Sequence, residues 1–182
     1  MKKVLFRFLL LVGIFLNFQQ IDAQRVALKS NLIDWATLSP NLAVEMRLNQ
    51  KLSLDISATT HPFSFTIAGM KATHVRLQPE LRYWFNRPMA RHFVGVGLLG
   101  GLYNVKFNKN FYEGDIFGAG VSYGYVFVLS RHWNLETTLG VGVARLRAFK
   151  YREDEQKPDT PNWYKWSPIP IRLGVTFSYI FK

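Results

Sequence analysis

Apolar and polar residues alternate along most of the chain after Gln24, and no stretch there keeps a helical period. Period two marks strands whose two faces meet different surroundings. Eight such segments are predicted. Val26, Leu28 and Leu32 carry the first, and Leu42, Val44, Met46 and Leu48 the second. Leu52, Leu54, Ile56 and Ala58 carry the third, and Val75, Leu77, Pro79, Leu81 and Tyr83 the fourth. Val94, Val96, Leu98 and Leu102 oppose Gly95, Gly97 and Gly101 in the fifth. Phe117, Ala119, Val121, Tyr123, Tyr125 and Phe127 form the sixth, and Leu135, Leu139, Val141 and Val143 the seventh. The eighth reads Ile169, Ile171, Leu173, Val175, Phe177, Tyr179 and Phe181.

The connections alternate in length. Asn49 to Lys51, Asn86 to Arg91 and Ser130 to His132 read as short turns, whereas His61 to Ala72, Asn104 to Asp115 and Phe149 to Trp166 read as long loops. Only the brief first connection, Ala36 to Pro40, breaks the rule. An even strand count with short turns at one end and long loops at the other is the layout of a transmembrane β-barrel.

Which face is wet decides between a membrane and a soluble barrel. The polar face carries charges in mid-strand: Lys29, Glu45, Arg47, Asp55, Arg76, Glu80, Arg82, Glu136 and Arg172. The opposite face is almost uncharged. These nine are therefore expected to form a charge network inside the lumen, because eight strands enclose a space that side chains can fill. Glycines on the polar side of strands five to seven leave room for the arginines of strands four and eight. Two aromatic girdles are expected, with Tyr83, Trp84, Phe85, Phe127, Trp133 and Phe181 at the short-turn end and Trp35, Phe63, Phe65, Phe107, Phe117 and Trp166 at the other. The predicted fold is all-β, an eight-stranded antiparallel up-and-down transmembrane β-barrel over residues 24–182. A soluble lipid-binding barrel would share the alternation but turn the charged face outward.

Residues 1–23 read as a cleaved signal peptide. Lys2, Lys3 and Arg7 precede an apolar run from Phe8 to Phe18, and Ala23 offers a small residue at the cut. Export to the outer membrane follows. The 182 residues contain no cysteine, which removes disulfides, thiolate metal sites and a cysteine nucleophile. The net charge of +11 is scattered rather than striped, so no nucleic-acid partner is expected. Arg25, Lys51, Arg87, Arg91, Arg131 and Lys182 gather at the short-turn end without an acid among them. Such rim cations suit lipid or lipopolysaccharide phosphates.

Several segments resemble a Bacteroidetes outer-membrane family of unknown function: Ala27 to Leu32, Ser39 to Glu45, Gln78 to Trp84, Gly120 to Tyr125, Arg131 to Glu136 and Tyr179 to Lys182. The resemblance implies a small barrel of OmpA/OmpX-like shape, with genes often near those of fimbrial or other surface proteins. It brings no catalytic residues. It also implies that the terminal Phe181 is read by the barrel-assembly machinery.

No enzyme is expected, and neither a cofactor nor a metal. Gly95-Val96-Gly97-Leu98-Leu99-Gly100 has dinucleotide-loop spacing, yet the alternation runs straight through it where a helix should start. His61, His74, His92 and His132 lack helical ligand spacing. His61 with Ser64 is the one candidate for a lipid-modifying enzyme, because a base must reach its nucleophile. A narrow channel would need the lumen side chains to move. The expected function is therefore a non-enzymatic envelope barrel whose outer loops engage a surface, lipid or fimbrial partner. Tyr151, Trp163, Tyr164 and Trp166 in the last loop are the candidate contacts.

Overall fold

The computed structural model describes residues 25–62, 70–107, 109–152, 156 and 158–181. The signal-peptide reading of residues 1–23, together with Phe63, Ser64 and Phe65, lies outside them. Among the described residues the strands are β1 (Val26–Asn31), β2 (Asn41–Arg47), β3 (Leu52–His61), β4 (Met70–Trp84), β5 (Arg91–Phe107), β6 (Asn110–Val128), β7 (Trp133–Arg152) and β8 (Trp163–Phe181). Each pairs antiparallel with the next, and β8 returns to β1, so one sheet closes into a barrel.

The register explains why the chain closes with one face apolar. Val26 faces Met46, and the row continues through Leu54, Leu81, Val96, Val121 and Val141 to Pro170. An apolar side chain thus stands on every strand, pointing outward; Val96 is 65% exposed. Val26 itself pairs with Phe181, far along β8 from Pro170. That stagger tilts the strands against the barrel axis, as closure of eight strands requires.

Four expectations need correction. The 104–115 segment is no loop, because β5 runs to Phe107 and β6 begins at Asn110. The loop over 149–166 shrinks likewise, since β7 reaches Arg152 and β8 starts at Trp163. Ile169 and Ile171 do not share the outward face of Leu173. A β-bulge at Gly140/Val141 pairs Gly140 with Arg172 but Val141 with Pro170, so the parity of β8 slips there and Ile171 is buried. Trp84 is wholly buried inside the barrel rather than in a girdle, because it shares the inner face with Arg82.

A short helix, α1 (Leu32–Ala36), replaces the top of the first strand. The Asn31 side chain accepts a hydrogen bond from Ile33 N at 3.2 Å, which caps the helix. The same side chain accepts from Val175 N and donates to Leu173 O, each at 3.1 Å, tying β1 to β8 just where their pairing stops. Beyond that point, among the described residues, β8 has no strand on its far side, and Pro168 and Pro170, which lack a donor, stand on this open edge.

The end with the short turns is plugged. Trp84, Phe93 and Val126 form a buried cluster, and the β4–β5 turn tucks Met89 and Ala90 beneath it. Asn134 Nδ2 donates to Met89 O at 2.8 Å and holds the turn in place. A Cβ on Gly124 would collide with the Phe93 ring. Replacing Gly124 by Val is therefore expected to destabilise the barrel by about 1–3 kcal/mol through overpacking. Gly100→Val, where a Cβ meets nothing within 4 Å, should stay within about 0.5 kcal/mol of wild type. Urea midpoints followed by intrinsic fluorescence compare the two.

Candidate functional site

The inner face repeats the logic of the outer one with opposite chemistry. Ala27 pairs with Glu45, Glu45 with Asp55 and Asp55 with Glu80, so three carboxylates stand side by side on β2, β3 and β4. The row continues as Gly97, Gly120 and Gly142. The neighbouring inner row reads Ser53, Arg82, Gly95, Ser122, Gly140 and Arg172. Side chains from β4 and β8 therefore reach over a glycine floor. A Cβ on Gly95 would lie 2.6 Å from Ser122 Oγ and 2.8 Å from the Glu80 carboxyl carbon.

Lys29 Nζ sits 2.8 Å from Glu45 Oε2, 2.6 Å from Glu136 Oε2 and 3.1 Å from Asp55 Oδ2. Arg82 binds Glu80 Oε2 through Nε at 2.6 Å, and through Nη1 it meets Glu136 Oε2 at 3.0 Å and Glu45 Oε2 at 3.1 Å. Arg172 pairs with Asp55 and reaches Glu80 Oε2 at 3.1 Å. The second oxygen of each glutamate takes a hydroxyl: Ser53 donates to Glu45 at 2.6 Å, Ser122 to Glu80 at 2.5 Å and Thr138 to Glu136 at 2.8 Å. Trp84 Nε1 donates to Ser53 Oγ at 2.7 Å, joining the plug to the network. The Phe93 ring centre lies 4.3 Å from the Arg82 guanidinium carbon, a cation–π contact, and Arg82 Nη2 has no hydrogen-bond partner among the described residues.

Seven of the nine expected network residues meet here: Lys29, Glu45, Asp55, Glu80, Arg82, Glu136 and Arg172. Arg47 does not, and is a correction. It lies on the last residue of β2, where its Nε donates to Asn49 O at 3.0 Å. Arg76 also stands apart, in a vestibule above the network. Its Nη2 is 2.8 Å from Asp34 Oδ1 on α1 and donates to Thr59 Oγ1 at 3.2 Å. The alternation pattern could not single out Asp34, because it sits on a helix. The hydroxyls Ser53, Ser122 and Thr138 are further members of the network, and all three fall on the polar parity.

The vestibule holds about 220 Å³, lined by Lys29, Asp34, Arg76, Gln78 and Arg172 among others. Gln78 Nε2 donates across it to Ile171 O at 2.6 Å. Below, the lumen is filled by the ion pairs and then by the Trp84 plug. Among the described residues, no group of three or more His, Asp or Glu is placed to hold a metal ion.

His61 faces a different serine from the one expected, since Ser64 lies outside the described residues. Its Nδ1 is 3.1 Å from both Ser39 Oγ and Leu38 O. The Leu38 carbonyl therefore competes with Ser39 for the same ring nitrogen, and Ser39 is itself buried.

The contacts assigned to the last loop lie on strands instead. Tyr151 is on β7, and Trp163, Tyr164 and Trp166 are on β8. Tyr151 stacks on Phe111 at 5.2 Å, Trp163 meets Tyr112 edge-on at 6.0 Å, and Arg145 lies 5.8 Å from the Tyr164 ring. They belong to a braced wall formed by the upper halves of β5 to β8.

Arg82→Met would leave Glu80, Glu45 and Glu136 short of a cation. A loss of about 3–5 kcal/mol is expected, since the buried charges stay behind. Ser122→Ala, which removes one neutral donor, should cost about 1–3 kcal/mol. Equilibrium urea unfolding read by tryptophan fluorescence ranks them.

A family model described as "Protein of unknown function (DUF3575)" matches residues 6–181. No curated protein and no solved structure matches the chain.

Proposed function

The chain belongs to the DUF3575 family of proteins of unknown function, and we propose that it is a non-enzymatic outer-membrane barrel of OmpA/OmpX-like shape. On this reading the wall above the bilayer engages a surface partner. The observation that carries it is the unbroken outward row from Val26 to Pro170, set against a lumen that holds the charges. Water would favour the reverse arrangement, whereas hydrocarbon requires this one.

The height of the apolar surface supports the same reading. A crossing strand needs about 9–11 tilted residues. β4 to β8 exceed that, but β1 has 6 and β2 has 7. At this low corner α1 and its exit leave Leu32, Trp35 and Leu38 exposed, which extends the apolar surface upward. Exposed aromatics fall at two levels. Tyr83, Phe85, Phe127, Trp133 and Phe181 lie toward the short turns, and Trp35, Phe117, Tyr164 and Trp166 toward the other end. Above Trp166 charge returns to the outer face, where Arg147 Nε lies 2.7 Å from Asp115 Oδ1.

Residues 1–23 are then the export signal, Phe181 the element read by the assembly machinery, and the tall wall the surface offered to a lipid, surface or fimbrial partner. The ion pairs and the Trp84 plug leave no room for a pore, so planar-bilayer recordings should show no conductance. A soluble barrel is the alternative, and one substitution separates the two. Val121→Arg, in the middle of the apolar row, should cost about 2–4 kcal/mol and reduce the heat-modifiable form extracted from outer membranes. On a water-facing surface the same change would stay within about 0.5 kcal/mol, and that result would reject the membrane reading.

A further inference from the structure

The outer face of β4 to β6 is not uniform. A groove of about 620 Å³ runs there, lined by Leu81, Tyr83, Val94, Val96, Val121 and Tyr123 among others. Its lining is almost wholly apolar. Directly toward the short turns, a second cavity of about 700 Å³ is lined by Lys51, Phe85, Arg87 and Arg91 among others. The two abut. Lys51 and Leu52 are consecutive residues in the two linings, and the Tyr83 and Phe85 rings meet edge-on at 5.9 Å.

We propose that this pair of cavities is a binding site for an anionic phospholipid of the leaflet at the short-turn end, with an acyl chain in the groove and the phosphate among Lys51, Arg87 and Arg91. The proposal rests on the membrane reading above and adds a specific ligand to it. Charge complementarity carries it. Three cations line the head cavity, and no Asp or Glu lies in any described turn at this end of the barrel. Among the described residues, Glu45, Glu80 and Asp55 lie inside the lumen, already engaged with Lys29, Arg82 and Arg172.

The cations are also positioned. Lys51 Nζ donates to Phe85 O at 2.6 Å and to Asn86 O at 2.9 Å, so its ammonium is fixed over the β4–β5 turn with a third N–H left for a ligand. Met89 and Arg91 hold φ of 64° and 63° in that turn. Arg87 and Arg91 supply planar guanidinium donors suited to phosphate oxygens.

The test uses the full mature barrel, purified in detergent and exchanged with dioleoylphosphatidylglycerol or dioleoylphosphatidylcholine, with retained lipid counted by native mass spectrometry. Wild type should retain the anionic lipid over the zwitterionic one by at least about tenfold. Lys51→Gln/Arg87→Gln/Arg91→Gln should abolish that preference while keeping a heat-modifiable mobility. Arg25→Gln/Arg131→Gln, in the adjoining cavity that shares Arg87, should weaken the preference less than the triple variant does, and an equal loss would overturn the site. Val94→Trp, which fills the groove and keeps the cations, should reduce retention of both lipids. Equal retention of the two lipids by wild type overturns the site, and so does full retention by the triple variant. Displacement by glycerol phosphate alone would assign the cations to a free anion and overturn the lipid. A wild-type chain with no heat-dependent shift that stays soluble without detergent would fail the membrane reading itself, which is a different result from equal retention.

Discussion

Lys29 and Arg82 share the carboxylates of Glu45 and Glu136, and the rest of the barrel is arranged around keeping that cluster dry and paired. Desolvating ions is costly, and their attraction offsets the cost only when geometry is good and the spare lone pairs are satisfied. Here each glutamate gives one oxygen to cations and the other to a hydroxyl from Ser53, Ser122 or Thr138. Gly95, Gly97, Gly120, Gly140 and Gly142 open the space opposite. The pairs run from β1 to β7, from β4 to β7 and from β8 to β3, so they brace strands that share no backbone hydrogen bonds. Such a cluster fixes register more than it adds stability. A slip of any one of these strands by one residue would carry its charges to the outer face.

The wall is uneven, and the unevenness has a direction. β1 and β2 are the shortest strands, and β7 has 20 residues, roughly 65 Å of extended chain. Above the low corner, β8 stands with an open edge guarded by Pro168 and Pro170. Ring stacking stiffens the hairpins beyond it, as does Lys106, 4.8 Å from the Phe111 ring. A partner approaching from that side would meet a preformed surface rather than a loop that must order on binding, which lowers the entropy cost of association.

Much of this was legible in the sequence because period two reports which face a residue takes. Parity placed Lys29, Glu45, Asp55, Glu80, Arg82, Glu136 and Arg172 inside, and it identified the glycine floor. It does not report depth along the barrel. Arg47 and Arg76 have the right parity but sit at opposite ends of the lumen, beyond reach of the cluster. It also fails where the backbone changes step. The bulge at Gly140/Val141 inverts Ile169 and Ile171, and the turn of helix around Asp34 hides the partner of Arg76. Asn104 to Asp115 read as a loop because alternation weakens where both faces of a sheet carry polar groups. Trp84 was misplaced for another reason: its aromatic character outweighed its parity with Arg82, and parity was the better guide.

The two ends of the lumen are built from different materials, and that difference is the strongest argument about how the molecule works. At the short-turn end the Trp84, Phe93 and Val126 cluster excludes water, and the rim around it carries arginines and a lysine with no Asp or Glu among the described turn residues. At the other end the vestibule stays open down to Lys29 and Arg172, with Arg76 and Asp34 pairing at its mouth. A pore would need both ends open and the ions between them free to part, yet Arg82 alone contacts Glu45, Glu80 and Glu136 and rests on Phe93. The interior therefore serves as a fixed post. On the proposed reading, recognition falls to the outer surfaces, the raised wall at one end and the basic rim with its apolar groove at the other.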